Sequence, residues 1–177
     1  MASREIILGG ENVALAVMTE ADQSHFQRWL AGSTKLREQI DDHKIPTMAD
    51  QLKWFKRTHE PGRKFFSLVA VPEKTLIGNA GFVEIDPEKK SAVLRITIGN
   101  PVFLGKGLGS EAVSLLIRYA FEDAGWERLS LKVLRGNPRA IRTYEKNGFK
   151  IIQEDLHEGK SVLTMALGRS GYLKHLS

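Results

Sequence analysis

The sequence predicts an α+β fold, in which a mixed, mostly antiparallel, twisted sheet of about seven strands is flanked by about four helices. Strand-like and helix-like segments follow one another in the order β-α-α-β-β-β-α-β-α-β-β, and the three consecutive strands are joined by turns of hairpin length. Hairpins make antiparallel neighbours, whereas a strictly alternating βαβ order makes a parallel sheet. With 177 residues, the chain is expected to form a single domain, residues 1–177, around a substantial core.

Alternation with a period of two residues predicts the strands, and apolar residues spaced three and four apart predict the helices. The predicted strands are residues 13–18, 65–71, 76–85, 91–99, 129–134, 149–155 and 161–167. The predicted helices are one capped by Thr19 or Asp22 and running to about residue 29, one over residues 49–59, one that follows residue 110 and stops at Gly125, and one between Asn137 and Asn147. Residues 30–46 are polar and mixed in charge, which predicts irregular structure.

A glycine-rich turn lies between the strand of residues 91–99 and the helix that follows it. Gly105, Gly107 and Gly109 alternate there with larger residues. Glycine permits a tight turn and lets an anion reach the backbone amides without meeting a Cβ atom. The unpaired N–H groups and the dipole at the start of a helix favour a phosphate. The spacing fits neither the Walker loop nor the dinucleotide fingerprint, so the turn predicts a diphosphate site of another kind.

A second stretch, residues 137–149, has the sequence NPRAIRTYEKNGF. Together the two stretches resemble the GNAT superfamily of acetyl-CoA-dependent N-acetyltransferases. The family's pyrophosphate signature, Gln/Arg-x-x-Gly-x-Gly/Ala, is met by Gly107 and Gly109, although Leu104 occupies its polar first position. The second signature, N-x-x-A-x-x-x-Y-x-x-x-G-F, is matched at Asn137, Ala140, Tyr144, Gly148 and Phe149. The run Gly-Lys-Gly-x-Gly-x-Glu-Ala looks most like the branch of ribosomal-protein N-terminal acetyltransferases.

The resemblance implies a GNAT-like fold in which the strands of residues 91–99 and 129–134 splay apart, with the pantetheine arm of acetyl-CoA in the gap. Acetyl-CoA is then a cosubstrate. The residues implied to contact it are Ile96, Ile98, Leu104, Gly105, Lys106, Gly107, Leu108, Gly109, Ser110, Asn137, Arg139, Arg142 and Tyr144. Asn137 has a second interpretation, because asparagine followed by proline is an ordinary helix N-cap.

Two residues are predicted to be catalytic, Tyr144 and Glu84. Tyr144 shares a helical face with Asn137 and Ala140, and the resemblance implies that its hydroxyl protonates the leaving thiolate. Glu84, late in its strand, is the candidate general base, although a surface carboxylate or a relayed water fits equally well. Because the chain has no cysteine, direct transfer of the acetyl group is favoured over an acetyl-enzyme. Nothing has metal-ligand spacing, so no metal site is predicted.

The predicted function is transfer of acetyl from acetyl-CoA to a primary amine, with a protein or peptide N-terminal α-amino group as the preferred acceptor. The segment of residues 20–60, expected to build the mouth of the site, mixes acidic and basic residues and forms no acidic trap; its carboxylates are Glu20, Asp22, Glu38, Asp41, Asp42 and Asp50. The alternatives are a small-molecule amine (polyamine, aminoglycoside or amino sugar) and a non-catalytic acyl-CoA-binding module of the same fold.

The composition bounds the remaining partners and the location. The net charge is +5, but basic and acidic residues interleave, so a nucleic-acid partner is not expected. No apolar run reaches the length of a membrane span, and the first residues lack a signal-peptide core, which predicts no membrane partner and a cytoplasmic location. The assembly is expected to be a monomer or a homodimer.

Overall fold

The computed structural model describes residues 4–40 and 42–177 of the chain. Within them, eight strands form one sheet in the spatial order β1-β2-β3-β4-β5-β6-β8-β7. The strands are β1 (Ile6–Gly9), β2 (Val13–Ala16), β3 (Lys64–Ala70), β4 (Thr75–Asp86), β5 (Ser91–Ile98), β6 (Arg128–Leu134), β7 (Lys150–His157) and β8 (Lys160–Gly168). The helices are α1 (Gln23–Gly32), α2 (Thr34–Gln39), α3 (Met48–Arg57), α4 (Leu108–Arg118, continued by a π turn), α5 (Pro138–Lys146) and α6 (Arg169–Leu176). All neighbouring strands are antiparallel except β5 and β6, which confirms the predicted mixed sheet.

Three elements were not predicted: β1, α2 and α6. Helix α2 lies inside the segment predicted to be irregular, and its six residues carry no apolar repeat; it begins where the Ser33 hydroxyl accepts a hydrogen bond from the Leu36 amide at 3.1 Å. Helix α6 is anchored by Tyr172, which is buried and donates a 2.6 Å hydrogen bond to Glu122. Strand β1 is only four residues long and pairs with β2 through an irregular register. None of the three shows a clear apolar periodicity: β1 depends on pairing with β2, α6 on the contact of Tyr172 with Glu122, and α2 on its Ser33 cap.

The two faces of the sheet are covered differently. One face carries the larger core, in which α4 packs with its apolar side inward, and Leu116, Ala120 and Phe121 are fully buried. The other face is covered over β2, β3 and β4 by α1 and α3, through a smaller cluster that includes Phe26, Trp29 and Trp54. Beyond that cluster, on β5 and β6, the side chains of this second face are exposed or half-buried. We call that region the open face; it comprises Arg95, Thr97, Ser130 and Lys132.

Strands β5 and β6 pair over only three positions and then separate. The paired residues are Ser91 with Arg128, Ala92 with Leu129, and Val93 with Ser130. Beyond Val93, β5 continues to Ile98 against β4, and β6 continues to Leu134 against β8. The predicted splay between these strands is therefore confirmed. Backbone groups that face the gap have no partner strand, so they are free to bind a ligand there.

Candidate active site

The glycine turn lies at the wide end of the gap, between β5 and α4. Gly105 and Gly107 have φ values of 77° and 78°, in the left-handed region that favours glycine, and Gly107 is the N-cap residue of α4. The amides of Ser110 and Glu111 donate to the Gly107 carbonyl. Within the described chain, the amides of residues 105–109 donate to no protein acceptor. The turn therefore presents a row of free N–H groups at a helix start, which is the geometry that a pyrophosphate requires.

Two side chains in the first turn of α4 fix its position. Glu111 accepts hydrogen bonds from the amides of Asn12 and Val13 at 2.8 and 3.2 Å, and from the Asn12 side chain at 3.1 Å. Burial alone would raise the pKa of Glu111, but these hydrogen bonds outweigh it and lower the pKa. The Ser110 hydroxyl accepts a 3.1 Å hydrogen bond from Asn147 at the end of α5. Ser110, predicted to bind the cofactor, thus also joins α4 to α5.

The basic residues predicted to meet the phosphates surround this turn to different degrees. The Arg139 guanidinium lies beside Gly105, because a Cβ atom added to that glycine would be 3.8 Å from Nη2. Lys106 places its ammonium 5.5 Å from the centre of the Phe103 ring. Arg142 is exposed, one turn along α5 from Arg139. The structure thus brings Arg139 to the turn, holds Lys106 over the Phe103 ring and leaves Arg142 exposed on α5.

The apolar residues and Asn137 predicted at the cofactor site lie along the gap. Ile96 and Ile98 are half-buried on β5 past the last β5–β6 pair, while Leu104 is 48% exposed. A Cβ atom on Gly109 would be 3.9 Å from Ile98 Cγ1, so the first turn of α4, with the buried Leu108, sits at the end of β5. The Asn137 side chain accepts a 3.2 Å hydrogen bond from the Ala140 amide, which confirms it as the N-cap of α5. Its contact with a cofactor stays a prediction.

Tyr144 lies on α5 with its ring packed edge-on against Phe149, the ring centres 6.1 Å apart. Burial raises the pKa of Tyr144 to about 12, and the positive charge of Arg95 acts in the opposite direction. The Tyr144 hydroxyl donates to no other group in the described residues. Arg95 projects from β5 on the open face, so Tyr144 approaches the gap from the α5 side with a protonated and unengaged hydroxyl. That is the state a proton donor requires.

Glu84 occupies the closed end of the gap. It has a φ of 50° at the irregularity where β4 leaves register with β5, and its side chain is exposed. With Val93, Arg128 and Ser130 it lines a surface depression beside the last β5–β6 pair. Its neighbour Asp86 accepts hydrogen bonds from the two amides that follow it, so Asp86 serves the β4–β5 turn. The structure places Glu84 within the same groove as the gap but does not bring it against Tyr144.

Two carboxylates predicted at the mouth of the site, Asp22 and Asp50, instead stabilise the local structure through hydrogen bonds. Asp22 is buried and accepts hydrogen bonds from Arg4, while Asp50 accepts from the Thr47 amide at the start of α3. Asp41 lies outside the described residues. Arg95 and Lys132 lie close to the gap but were not among the predicted site residues. Alternation along β5 and β6 assigns both to one face, but only the register between the two strands shows that they stand opposite each other.

Residues 4–40 and 42–177 contain neither a metal-binding cluster nor a membrane-spanning helix. That part of the chain holds no group of three or more histidine, aspartate or glutamate side chains placed to bind a metal ion. Nor does it contain a helix with the length and apolar character needed to cross a membrane.

Comparison with known proteins places these features in a family. The family model of the acetyltransferase (GNAT) domain matches residues 12–150. Spermidine N(1)-acetyltransferase of Escherichia coli is 33% identical over 103 residues, which are 58% of this chain and 54% of that protein, so the match spans about half of the relative's length. Aminoglycoside N(6')-acetyltransferase type 1 of Klebsiella pneumoniae is 27% identical over 150 residues, covering 79% of this chain and 75% of that protein.

Among solved structures, spermidine N-acetyltransferase from Vibrio cholerae in complex with CoA and spermine superimposes with a TM-score of 0.84. The sequence identity is 21%, and the superposition covers 93% of this chain and 99% of that one, so this likeness shows the fold. The glycine turn, the gap and α5 all lie within the region that the family model matches. The chain belongs to the acetyltransferase (GNAT) domain family.

Proposed function

We propose that this protein transfers the acetyl group of acetyl-CoA directly to a primary amine of a small molecule. The observation that supports it best is the unpaired gap between β5 and β6, with free amides at residues 105–109 at one end and Tyr144 beside it. This arrangement offers one place for a pyrophosphate and another for the arm and thioester. Family membership supplies the reaction class.

Each residue of the gap and the glycine turn has a distinct role in this reaction. The amides of residues 105–109 hold the pyrophosphate, with Arg139 beside them. The amine nitrogen attacks the acetyl carbonyl carbon, the carbon–sulfur bond breaks, and the Tyr144 hydroxyl gives its proton to the leaving sulfur. The proton lost by the amine passes to solvent or, through a water, to Glu84. No covalent enzyme intermediate is needed, because the sequence has no cysteine.

The acceptor class in this proposal is a small molecule rather than the peptide α-amino group favoured by the branch resemblance. The relatives described above are named for spermidine and aminoglycoside acetylation, and together they support a small amine. Two of the acidic residues predicted at the mouth of the site, Asp22 and Asp50, make hydrogen bonds that hold α1 and α3 in place.

Acetyl-CoA turnover with a panel of amines tests the proposal. The panel contains spermidine, kanamycin, glucosamine and peptides with small N-terminal residues, and the measurement combines CoA thiol release with mass spectrometry of each product. We expect a mass increase of one acetyl group on at least one small amine and none on the peptides. Acetylated peptides with untouched small amines would restore the protein-acceptor hypothesis. A melting temperature that rises with acetyl-CoA, without turnover on any amine, would favour the non-catalytic binding module.

A further inference from the structure

Two cations lie on the open face, one on each side of the gap. Arg95 on β5 and Lys132 on β6 each lie two residues beyond the last pair, Val93 with Ser130. Because side chains alternate with a period of two along each parallel strand, both project to the same face, one from each edge of the gap. Both side chains are exposed. Neither forms an ion pair with a carboxylate in the described residues.

The carboxylates nearest to this pair are engaged elsewhere. At the closed end, Asp86 pairs with Lys89 at 3.5 Å, and Glu84 shares its depression with Arg128. At the far end of β6, Arg135 binds Glu154. Asp86 and Glu154 are thus paired with other cations, and in the described residues Glu84 makes no ion pair with Arg95 or Lys132.

More distant acidic groups are also accounted for. Asp155 lies on the edge strand β7, two strands from β6 and thus about 10 Å away, where it accepts hydrogen bonds from Gln153. The segment before α3 reaches over this side of the molecule, since His43 Nε2 lies 3.4 Å from Nζ of Lys160, the first residue of β8. In that segment Asp42 accepts a hydrogen bond from the Lys44 amide. Among the described residues, neither Asp155 nor Asp42 makes an ion pair with Arg95 or Lys132.

We propose that the acceptor amine also carries an anionic group, a carboxylate or a phosphate, and that Arg95 and Lys132 bind this group while the amine meets the thioester. This proposal rests on the proposed function and narrows its acceptor from any small primary amine to one that carries an anionic group. An anionic group there would receive charge-assisted hydrogen bonds from both side chains, and Arg95 can bind two oxygens at once. A polyamine would instead bring further ammonium groups against two unpaired cations.

The same arrangement helps the chemistry. The attacking amine must be neutral, and positive charges nearby favour the neutral form of an amine. Arg95 also lies close enough to Tyr144 to act on its hydroxyl. A site with an anion-binding pair beside the thioester thus needs less from a strong general base, and no such base faces the middle of the gap in the described part of the chain.

Matched pairs of amines that differ in one anionic group test the proposal: cadaverine and lysine, agmatine and arginine, glucosamine and glucosamine 6-phosphate. We expect the anionic member of at least one pair to be acetylated with a kcat/KM at least tenfold higher than its partner. The amino-acid pairs and the sugar phosphate pair distinguish a carboxylate from a phosphate. Spermidine is included as the polycationic reference.

The variants Arg95→Gln and Lys132→Gln should each reduce that preference about tenfold, mainly through KM for the acceptor, with Arg95→Lys retaining part of it. Lys150→Gln, which removes an exposed cation from the edge strand β7, is the matched control and should change nothing. The shift in melting temperature with acetyl-CoA should be the same in every variant, which also shows that each has folded.

The outcomes separate the two proposals. Preference for spermidine and cadaverine, with a normal acetyl-CoA shift, overturns the anionic acceptor and leaves the acetyltransferase proposal standing. An unchanged preference in both variants overturns the role of the two cations. If Arg95→Gln lowers kcat equally for both members of a pair and moves the pH profile, Arg95 acts through Tyr144 and the anion-binding role is wrong. Absence of both turnover and an acetyl-CoA shift overturns the proposed function itself.

Discussion

The wide end and the middle of the β5–β6 gap present different chemical groups to a ligand. The wide end is made mainly of backbone, with the free amides of residues 105–109, two left-handed glycines and the Arg139 guanidinium beside them. The open face at mid-gap is made of side chains, with Arg95 and Lys132 brought together by strand register. A backbone site serves any member of a family that shares a ligand. A side-chain site sets which acceptor is bound, and it can change without altering the fold.

The strongest test of the backbone end is Gly107→Val. A side chain at this position would occupy space that no protein atom fills and would force a β-branched residue to a φ of 78°. Acetyl-CoA at a hundred times its Kd should stabilise the unchanged protein by about 2.7 kcal/mol, and the variant should lose nearly all of this stabilisation. Thermal unfolding with and without acetyl-CoA measures it.

Gly159→Val is the matched control for that substitution. Gly159 has a φ of 77° in the β7–β8 turn and, like Gly107, has no protein atom within 4 Å of an added Cβ. It should suffer the same backbone strain and keep the full acetyl-CoA shift. An equal loss of the shift in both variants would mean that the strain, not the blocked site, is responsible.

The next largest effect is expected at Tyr144, which lies on α5 beside the gap. Tyr144→Phe removes one hydroxyl and keeps the ring against Phe149, so acetyl-CoA binding should not change. Turnover should fall about a hundredfold, the usual scale for a lost general acid. Because the pKa of Tyr144 is raised to about 12, the unchanged protein should not lose activity through this group as the pH rises towards 10.

Tyr119→Phe is the control for removing a phenol hydroxyl. Tyr119 packs among the rings of Phe66, Phe82 and Trp126, away from the gap. Its turnover should match that of the unchanged protein. Steady-state kinetics at saturating acetyl-CoA compares the two variants, and equal activity in Tyr144→Phe would return Tyr144 to the role of a packed aromatic.

The same contrast between backbone and side-chain sites explains which parts of the gap could be predicted from the sequence. The glycine turn, the Asn137 cap and the strands themselves were predictable, because glycine spacing, capping residues and period-two alternation are local signals, whereas the splay between two strands came only from the family resemblance. The matching positions of Arg95 and Lys132 were not predictable, since 36 residues lie between them and only the register of β5 with β6 places each two residues beyond the last pair. Asp22 and Asp50 were assigned to the acceptor mouth, yet contacts with Arg4 and Thr47 hold them in the structure of α1 and α3.

The acceptor side depends on α1, and Asp22 fixes that helix to the sheet. Trp29 of α1 packs on Gly99 at the end of β5, where a Cβ atom would clash with the indole. Asp22 accepts hydrogen bonds from Arg4 at 2.6 and 2.9 Å and from the Ser67 hydroxyl at 2.8 Å. Asp22→Asn should lower the free energy of unfolding by about 2 kcal/mol, the scale of a buried charged group losing its partner. It should also raise the acceptor KM more than the acetyl-CoA KM.

The pH dependence gives an independent check on Asp22. Burial alone would raise its pKa, but the hydrogen bonds from Arg4, Thr19 and Ser67 outweigh burial and hold the pKa below the ordinary value. A lowered folded-state pKa contributes stability that is fully present above the unfolded value, about 3.9, and is lost as the pH falls through the folded value. The free energy of unfolding of the unchanged protein, measured with denaturant, should therefore decrease as the pH falls below about 4. In Asp22→Asn it should depend less on pH over this range. Glu20→Gln, an exposed neighbour, should retain the full dependence.

The smallest effect is expected at Glu84, at the closed end of the gap. Its carboxylate is exposed and shares a depression with Arg128, so it reaches the amine only through water. Because a relayed base contributes less than a group in direct contact, Glu84→Gln should lower kcat by about tenfold or less, below the roughly hundredfold or larger effect that is usual for a general base in direct contact. Glu88→Gln, in the exposed β4–β5 turn, is the control and should leave kcat unchanged. Equal kcat in Glu84→Gln and in the unchanged protein would assign the proton directly to solvent. It would also confine the chemistry of this gap to Tyr144 and the groups beside it.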